Sequence, residues 1–228
     1  VELYTFLGIE LRPDDFPGAD AIKEASRKLA LVHHPDKQEQ KASPASQSIF
    51  VLVQEAYEFL MDPENKQMYD STLPFDDTIP SIAEVEQRGF FKALEPAFRR
   101  NAKWSEKQSV PKLGSLETSL EDVYLFYKFW FRLESWRDAS PRFLRKQNLE
   151  LLDISGCHRD ERRVRQKQNE QVRKQFEVQE RLRVMSLVDL AWQQDPRLAA
   201  ERRARSLAKS RTRSGSQSRR SDYASRAT

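Results

Sequence analysis

The chain has 228 residues, 38% hydrophobic and 32% charged, with a mean hydropathy of −0.78, which suits helical modules with much solvated surface better than one compact globule. Six glycines are few for an all-β or glycine-loop phosphate-binding protein, and a single cysteine, Cys157, excludes an intrachain disulfide and favours a reducing compartment. The net charge of +4 is uneven: residues 158–228 hold 19 Lys and Arg against 9 Asp and Glu, so the chain before them is acidic and a polyanion such as nucleic acid is expected at one end only.

In chain order, the opening ELYTFLGI sets Leu3, Tyr4 and Leu7 on one face of a first short helix. Asp20 can cap a second helix reaching about His33, with Ile22, Ala25, Leu29 and His33 as its apolar stripe. SIFVLVQEAYEFLM repeats Phe50, Val53, Tyr57 and Leu60 at helical spacing, a third helix. Helices two and three, joined by a loop holding Pro35, are expected to pack as an antiparallel hairpin. Asp62 and Pro63 then read as N-cap and first residue of a fourth helix. STLPFDDTIPSI reads as a linker, after which Phe90, Phe91, Leu94 and Phe98 mark an amphipathic helix. Ser119 with Asp122 is a capping-box variant opening a helix whose inner face is Val123, Phe126, Tyr127, Trp130 and Leu133. That aromatic run is far better suited to a core than to base stacking. From about His158 to Gln194 no Pro or Gly interrupts a charged stretch, which predicts a long solvated helix whose last turns pack through Val184, Leu187, Val188 and Ala191. Asp195 and Pro196 end it, and the Ser/Arg-rich remainder is expected to be disordered. No apolar run approaches a membrane span, and no signal-peptide pattern opens the chain.

The stretch LALVHHPDKQ carries the first functional clue. Adjacent His33 and His34 diverge by about 100° on a helix. The remaining histidine, His158, is distant in sequence, so a three- or four-ligand metal site is not expected. Nothing near the loop resembles a nucleophile with its base, so catalysis is not expected either. Pro35 holds His34 extended and stops the helix. With its flanking helices, the segment resembles the J-domain of DnaJ (heat shock protein 40) co-chaperones, carried by LYTFLGI, SRKLALVHHPDK and FVLVQEAYEFLMDPENKQMYD over residues 2–70. The resemblance implies that His34, Pro35 and Asp36, with basic residues of the second helix, engage a heat shock protein 70 type ATPase and trigger its ATP hydrolysis, while the chain itself is no enzyme and needs no cofactor. Lys23, Arg27, Lys28 and Lys37 supply a positive surface for an acidic partner groove. Val32 stands where many J-domains have a basic residue, and His33 where a tyrosine is usual.

The following region resembles the zuotin family of ribosome-associated J-proteins. The carriers are FFKALEPAFRRNAKWSEKQSVPKLGS, VYLFYKFWFRLESWR, HRDERRVRQKQNEQVRK and DLAWQQDPRL. The resemblance implies contact with the large ribosomal subunit, through rRNA and a protein at the tunnel exit. It also implies a stable atypical heat shock protein 70 relative as partner, docked by a segment that would precede Val1, and a second such chaperone that receives nascent chains. Arg162, Arg163, Arg165, Lys167, Arg173, Lys174 and Arg183 are the expected RNA-binding residues, with Arg162, Arg165 and Arg173 roughly on one face.

The expected fold is all-α: a four-helix J-domain (1–72), a linker (73–84), a helical zuotin homology domain with a long basic helix (85–204) and an Arg/Ser-rich tail (205–228). The expected function is that of a cytoplasmic, ribosome-associated co-chaperone assisting nascent-chain folding. The alternatives are a nuclear DNA- or RNA-binding protein with a J-domain and a soluble J-protein not bound to ribosomes.

Overall fold

The computed structural model describes residues 2–34 and 44–209, which are mostly helical and contain no β-strand. The described chain forms two compact units. One comprises Val1–Thr78, Arg99–Val110 and Leu133–Leu182; the other comprises Ile79–Phe98, Pro111–Arg132 and Arg183–Thr228. The sequence modules and the packed units therefore have different boundaries.

In the first unit, α1 (Leu3–Phe6), α2 (Ala19–His33), α3 (Pro44–Met61) and α4 (Pro63–Thr72) surround a core of Tyr4, Leu7, Ile22, Val53, Ala56 and Leu60. α2 packs on α3 and α3 on α4. His34, just past α2, meets Phe50 near the start of α3, as an antiparallel hairpin requires. The N-cap of α2 is Gly18, with Asp20 inside the first turn, so the expected cap lies two residues too late. Asp20 still opposes the positive end of the helix dipole there. Asp62 caps α4 as expected, accepting the Asn65 N–H at 2.8 Å. The fourth helix is tied to the first by polar contacts: the Tyr4 hydroxyl donates to Asp70 at 2.7 Å, and the Leu3 N–H donates to the Tyr69 hydroxyl at 2.7 Å. Lys66 completes the Asp70 site at 2.5 Å. Burial pushes the Asp70 carboxyl above its usual pKa, and the bonds from Lys66 and Tyr4 only partly offset this.

Residues 74–78, expected to be part of a linker, are anchored. Phe75 lies edge-on to Trp104 at 5.4 Å, Arg100 donates to the carbonyls of Asp76 and Thr78, and Arg142 meets Asp77 at 2.7 Å. The short α8 (Pro141–Gln147) follows, with Ser140 as N-cap and Asn148 left-handed at its end (φ 52°). The first two thirds of α9 (Arg159–Gln194), as far as Leu182, complete this unit. Its buried residues Asn169, Phe176 and Glu180 face inward, and Asn169 pairs with both backbone groups of Leu152, at 2.8 and 2.9 Å.

The second unit contains α5 (Ile82–Arg88), most of α6 (Phe90–Ala102), α7 (Leu120–Trp130), the last turns of α9 and a helical run over residues 196–209. α5 is closed by a full capping box between Ser81 and Glu84. Phe98 packs on Phe126 and Trp130, at 4.9 and 4.8 Å between ring centres. Val123, Phe126, Tyr127 and Trp130 are buried as expected, whereas Leu133 lies beyond the end of α7. Val184, Leu187, Val188 and Ala191 are all buried, the packing foreseen for the last turns of α9. Asp195 alone separates α9 from the following run. Its carboxylate is fully buried, pairs with Arg197 at 2.7 Å and accepts from Tyr127 at 2.8 Å. Arg197 also donates to the carbonyls of Leu113 and Ser115, at 2.9 and 3.0 Å, which fixes the loop before α7. In that loop Gly114 has φ 76°, and a Cβ there would run into the Thr118 side chain. The helical run reaches residue 209, so the first five residues of the expected tail are helical; the rest of the tail lies outside the described residues.

Candidate partner-binding surfaces

Two surfaces of the first unit hold most of the residues singled out from the sequence. Ile22 and Ser26 turn one face of α2 into the core, which leaves Lys23 and Arg27 exposed and without ion pairs among the described residues. They lie about 40° apart around the helix axis, so a partner can meet both at once. Lys28 is exposed but held by Glu24 at 2.7 Å, and that bond keeps the Glu24 carboxyl below its usual pKa. A surface pair of this kind contributes little stability and yields readily to a competing carboxylate.

His34 is the C-cap of α2, with φ −64° and ψ 130°, the extended geometry demanded of a residue that precedes proline. Its ring stands edge-on to Phe50 at 5.5 Å, so α3 sets where the loop leaves the hairpin. Pro35, Asp36 and Lys37 lie outside the described residues. Leu31 and Val32 are 47% and 64% exposed, giving the end of α2 an apolar patch.

On α9 the structure divides the expected RNA-binding residues into two groups. Arg165 donates to the Asp153 carbonyl and pairs with Glu161, both at 2.6 Å, and Arg173 pairs with Asp138 at 2.9 Å. Both arginines therefore attach the helix to its own unit. The face expected to track phosphates through Arg162, Arg165 and Arg173 is largely the packed one, because the inward residues Asn169, Phe176 and Glu180 share its angular position. Arg162 is exposed near the start of the helix. Arg163, Lys167 and Lys174 are exposed and form no ion pair among the described residues. With Arg181, which the sequence reading passed over, they fall within about 40° of one another, well away from the packed face. Arg181 lies about five helical turns after Arg163, so periodicity alone could have found it. Glu170 and Glu177 border this stripe and lower its potential without interrupting it. Arg183 belongs to the second unit, where it is half-buried and engaged within the chain.

Among the described residues no three or more His, Cys, Asp or Glu side chains gather as a metal site requires, and no helix is long and apolar enough to cross a membrane.

Comparison with known proteins places two family matches on the chain. Residues 2–70 match the DnaJ domain family, and residues 89–199 match the zuotin-like zuotin homology domain. The chain belongs to the zuotin family of J-domain co-chaperones. It is 39% identical over 181 residues to human DnaJ homolog subfamily C member 2, a match covering 78% of this chain and 28% of that protein. Zuotin of Schizosaccharomyces pombe is 35% identical over 179 residues, covering 78% of this chain and 39% of the relative. Zuotin of Saccharomyces cerevisiae is 30% identical over 202 residues, covering 86% and 44%. The chain thus spans well under half the length of these relatives. The DnaJ domain match contains α1 to α3 and most of α4, and the zuotin homology match contains α6 to α9.

Proposed function

We propose that this chain is the J-domain and ribosome-docking part of a co-chaperone that acts in the cytoplasm on nascent chains. In this reading the J-domain stimulates a heat shock protein 70 type ATPase, with His34, Pro35 and Asp36 as the activating loop and Lys23, Arg27, Lys28 and Lys37 orienting an acidic groove of that partner. The long basic helix attaches to the large ribosomal subunit near the tunnel exit, chiefly through Arg163, Lys167, Lys174 and Arg181, with Arg162 at its start. An atypical heat shock protein 70 relative is the proposed stable partner. The observation that carries the reading is the union, in one chain, of a DnaJ domain with a zuotin homology domain whose long helix bears an exposed basic stripe. Such a stripe suits phosphate backbones, which structured RNA presents without any need for base readout.

The test is co-sedimentation with ribosomes at near-physiological salt, comparing the intact chain with one carrying Arg163→Glu, Lys167→Glu and Lys174→Glu. The intact chain is expected in the ribosome pellet and the variant in the supernatant. An intact chain left in the supernatant, or one that binds duplex DNA as tightly as ribosomes, overturns ribosome docking. In parallel, His34→Gln is expected to abolish ATPase stimulation while leaving sedimentation unchanged.

A further inference from the structure

A J-domain on a free linker would point its activating loop in many directions. Here α4 and the long basic helix are joined through one short segment, residues 135–138. On one side, the Gln67 side-chain amide donates to the Trp136 carbonyl at 2.6 Å, and the Asp138 N–H donates to the Ser71 hydroxyl at 2.9 Å. On the other, Arg137 forms an ion pair with Glu180 at 3.1 Å, both side chains being almost fully buried, and Asp138 receives Arg173 at 2.9 Å. Consecutive residues thus bond the J-domain through one set of atoms and α9 through another.

Beside this strap lies an aromatic cluster assembled from four parts of the sequence. Trp104, 1% exposed, packs against Phe16 of the loop before α2, Phe75 of the segment after α4, and Trp136, with ring centres 4.9, 5.4 and 4.8 Å away. The Lys103 ammonium sits 4.4 Å from the Phe16 centroid, 5.2 Å from Phe75 and 5.3 Å from Trp104, and donates to the Pro13 carbonyl at 3.1 Å. Arg137 covers Phe75 and Trp104 from 4.4 and 5.0 Å. A cation held against several ring faces resists displacement, because moving it means giving up each attraction together. Burial and the nearby Arg137 lower the Lys103 pKa, as expected of an ammonium drawn out of water to serve this contact.

We propose that the strap 135–138 and the Lys103 cage lock the J-domain to the basic part of α9 as one rigid body, making Lys103, Phe16 and Asp138 positioning residues that fix the direction of α2, with His34 at its end, relative to the ribosome-binding stripe. The functional half of this statement rests on the reading given under Proposed function. The rigid coupling rests on the contacts alone. Its consequence is that the chaperone partner is met at a fixed place relative to the docked ribosome, which raises the loop's effective concentration at that place.

The test uses the full chain with Cys157→Ser and spin labels at Ala21→Cys on α2 and Gln171→Cys on α9, both exposed positions of the first unit. The inter-label distance distribution is expected to be single and narrow. Adding Lys103→Gln with Asp138→Ala is expected to broaden it at unchanged helical content, and Phe16→Leu, which keeps the apolar packing, to broaden it less. The same double variant is expected to lower stimulation of ATPase by ribosome-bound chain several-fold and to leave stimulation in free solution unchanged. A broad distribution in the parent chain, or an unchanged one in the double variant, overturns the lock. A broadened distribution with undiminished stimulation on ribosomes overturns the positioning role. The distance measurement needs no chaperone, so a parent chain with a narrow distribution that stimulates no ATPase counts against the proposed function and leaves the lock standing.

Discussion

Removing the Arg197 guanidinium tests the reading of the second unit most directly. In Arg197→Met the side-chain length is kept and four bonds are lost: two to the Asp195 carboxylate, at 3.0 and 2.7 Å, and one each to the carbonyls of Leu113 and Ser115. Asp195 keeps the Tyr127 hydroxyl at 2.8 Å and the backbone N–H of residue 197 at 2.9 Å, but its charge loses its only ion-pair partner among the described residues. Stranding one member of a buried pair costs about 3–5 kcal/mol. The surviving bonds to Asp195 argue for the lower end, and the two orphaned carbonyls, at about 1 kcal/mol or more each, argue for the upper. Urea unfolding followed by tryptophan fluorescence, with Trp130 and Trp192 in the same unit, measures the loss. The pH dependence gives a second readout. Burial raises the Asp195 pKa, but the Arg197 and Tyr127 bonds overcome this and hold it below the usual carboxylate value. In the parent chain its stabilisation is present above the unfolded pKa and is lost as pH falls through the lowered folded value. In Arg197→Met burial prevails and the folded pKa rises, so the variant's deficit shrinks as pH falls toward the carboxylate range. A loss below about 1 kcal/mol, or a deficit independent of pH, would refute the assigned role.

Replacing Arg163, Lys167 or Lys174 singly by Ala is expected to reduce the slope of log affinity against log salt for ribosomes or structured RNA by about 1 each, read from binding isotherms at several salt concentrations. Arg183→Ala, already engaged within the chain, should leave that slope unchanged. The raised pKa of Asp70 means that the folded J-domain holds a proton the unfolded chain has released, so this group's contribution to stability falls as pH rises between its unfolded and folded values. Asp70→Asn should flatten the stability profile in that window, measured by urea titration at pH 4 to 7. Gly114→Ala should cost more than about 1 kcal/mol, since both its positive φ and the Thr118 side chain oppose a Cβ; unchanged urea resistance would contradict the loop geometry.

What the sequence revealed follows from which interactions are local. Asp62-Pro63 and Ser119 announced helix starts because capping is decided within four residues. Ser81 and Glu84 carry the same signature, though the Pro-flanked polar stretch around them suggested a linker and α5 went unmarked. Val123 to Trp130 and Val184 to Ala191 were legible because burial follows helical period. The basic helix was found from charge, but which of its arginines faces outward depends on Asp138 and Asp153, residues from a distant segment that no pattern within the helix contains. The place of Trp104 depends on distant residues in the same way: the Lys103 cage needs Phe16 and Phe75, which only tertiary packing brings together. The end of α2 lay at the opposite extreme, legible from Pro35 alone, because the residue before a proline is held extended and His34 is.

The one-residue break at Asp195 also has a covalent consequence. Asp-Pro is the peptide bond most easily cleaved in acid, because the aspartyl carboxyl assists expulsion of the prolyl nitrogen. In the native chain that carboxylate is sealed from solvent, with Arg197 and Tyr127 holding its two oxygens. Scission between Asp195 and Pro196 thus becomes a chemical clock for opening of this corner: slow while the corner stays closed, fast once it opens, and told apart by fragment mass from cleavage at the exposed Asp62–Pro63 bond, which has no such shield.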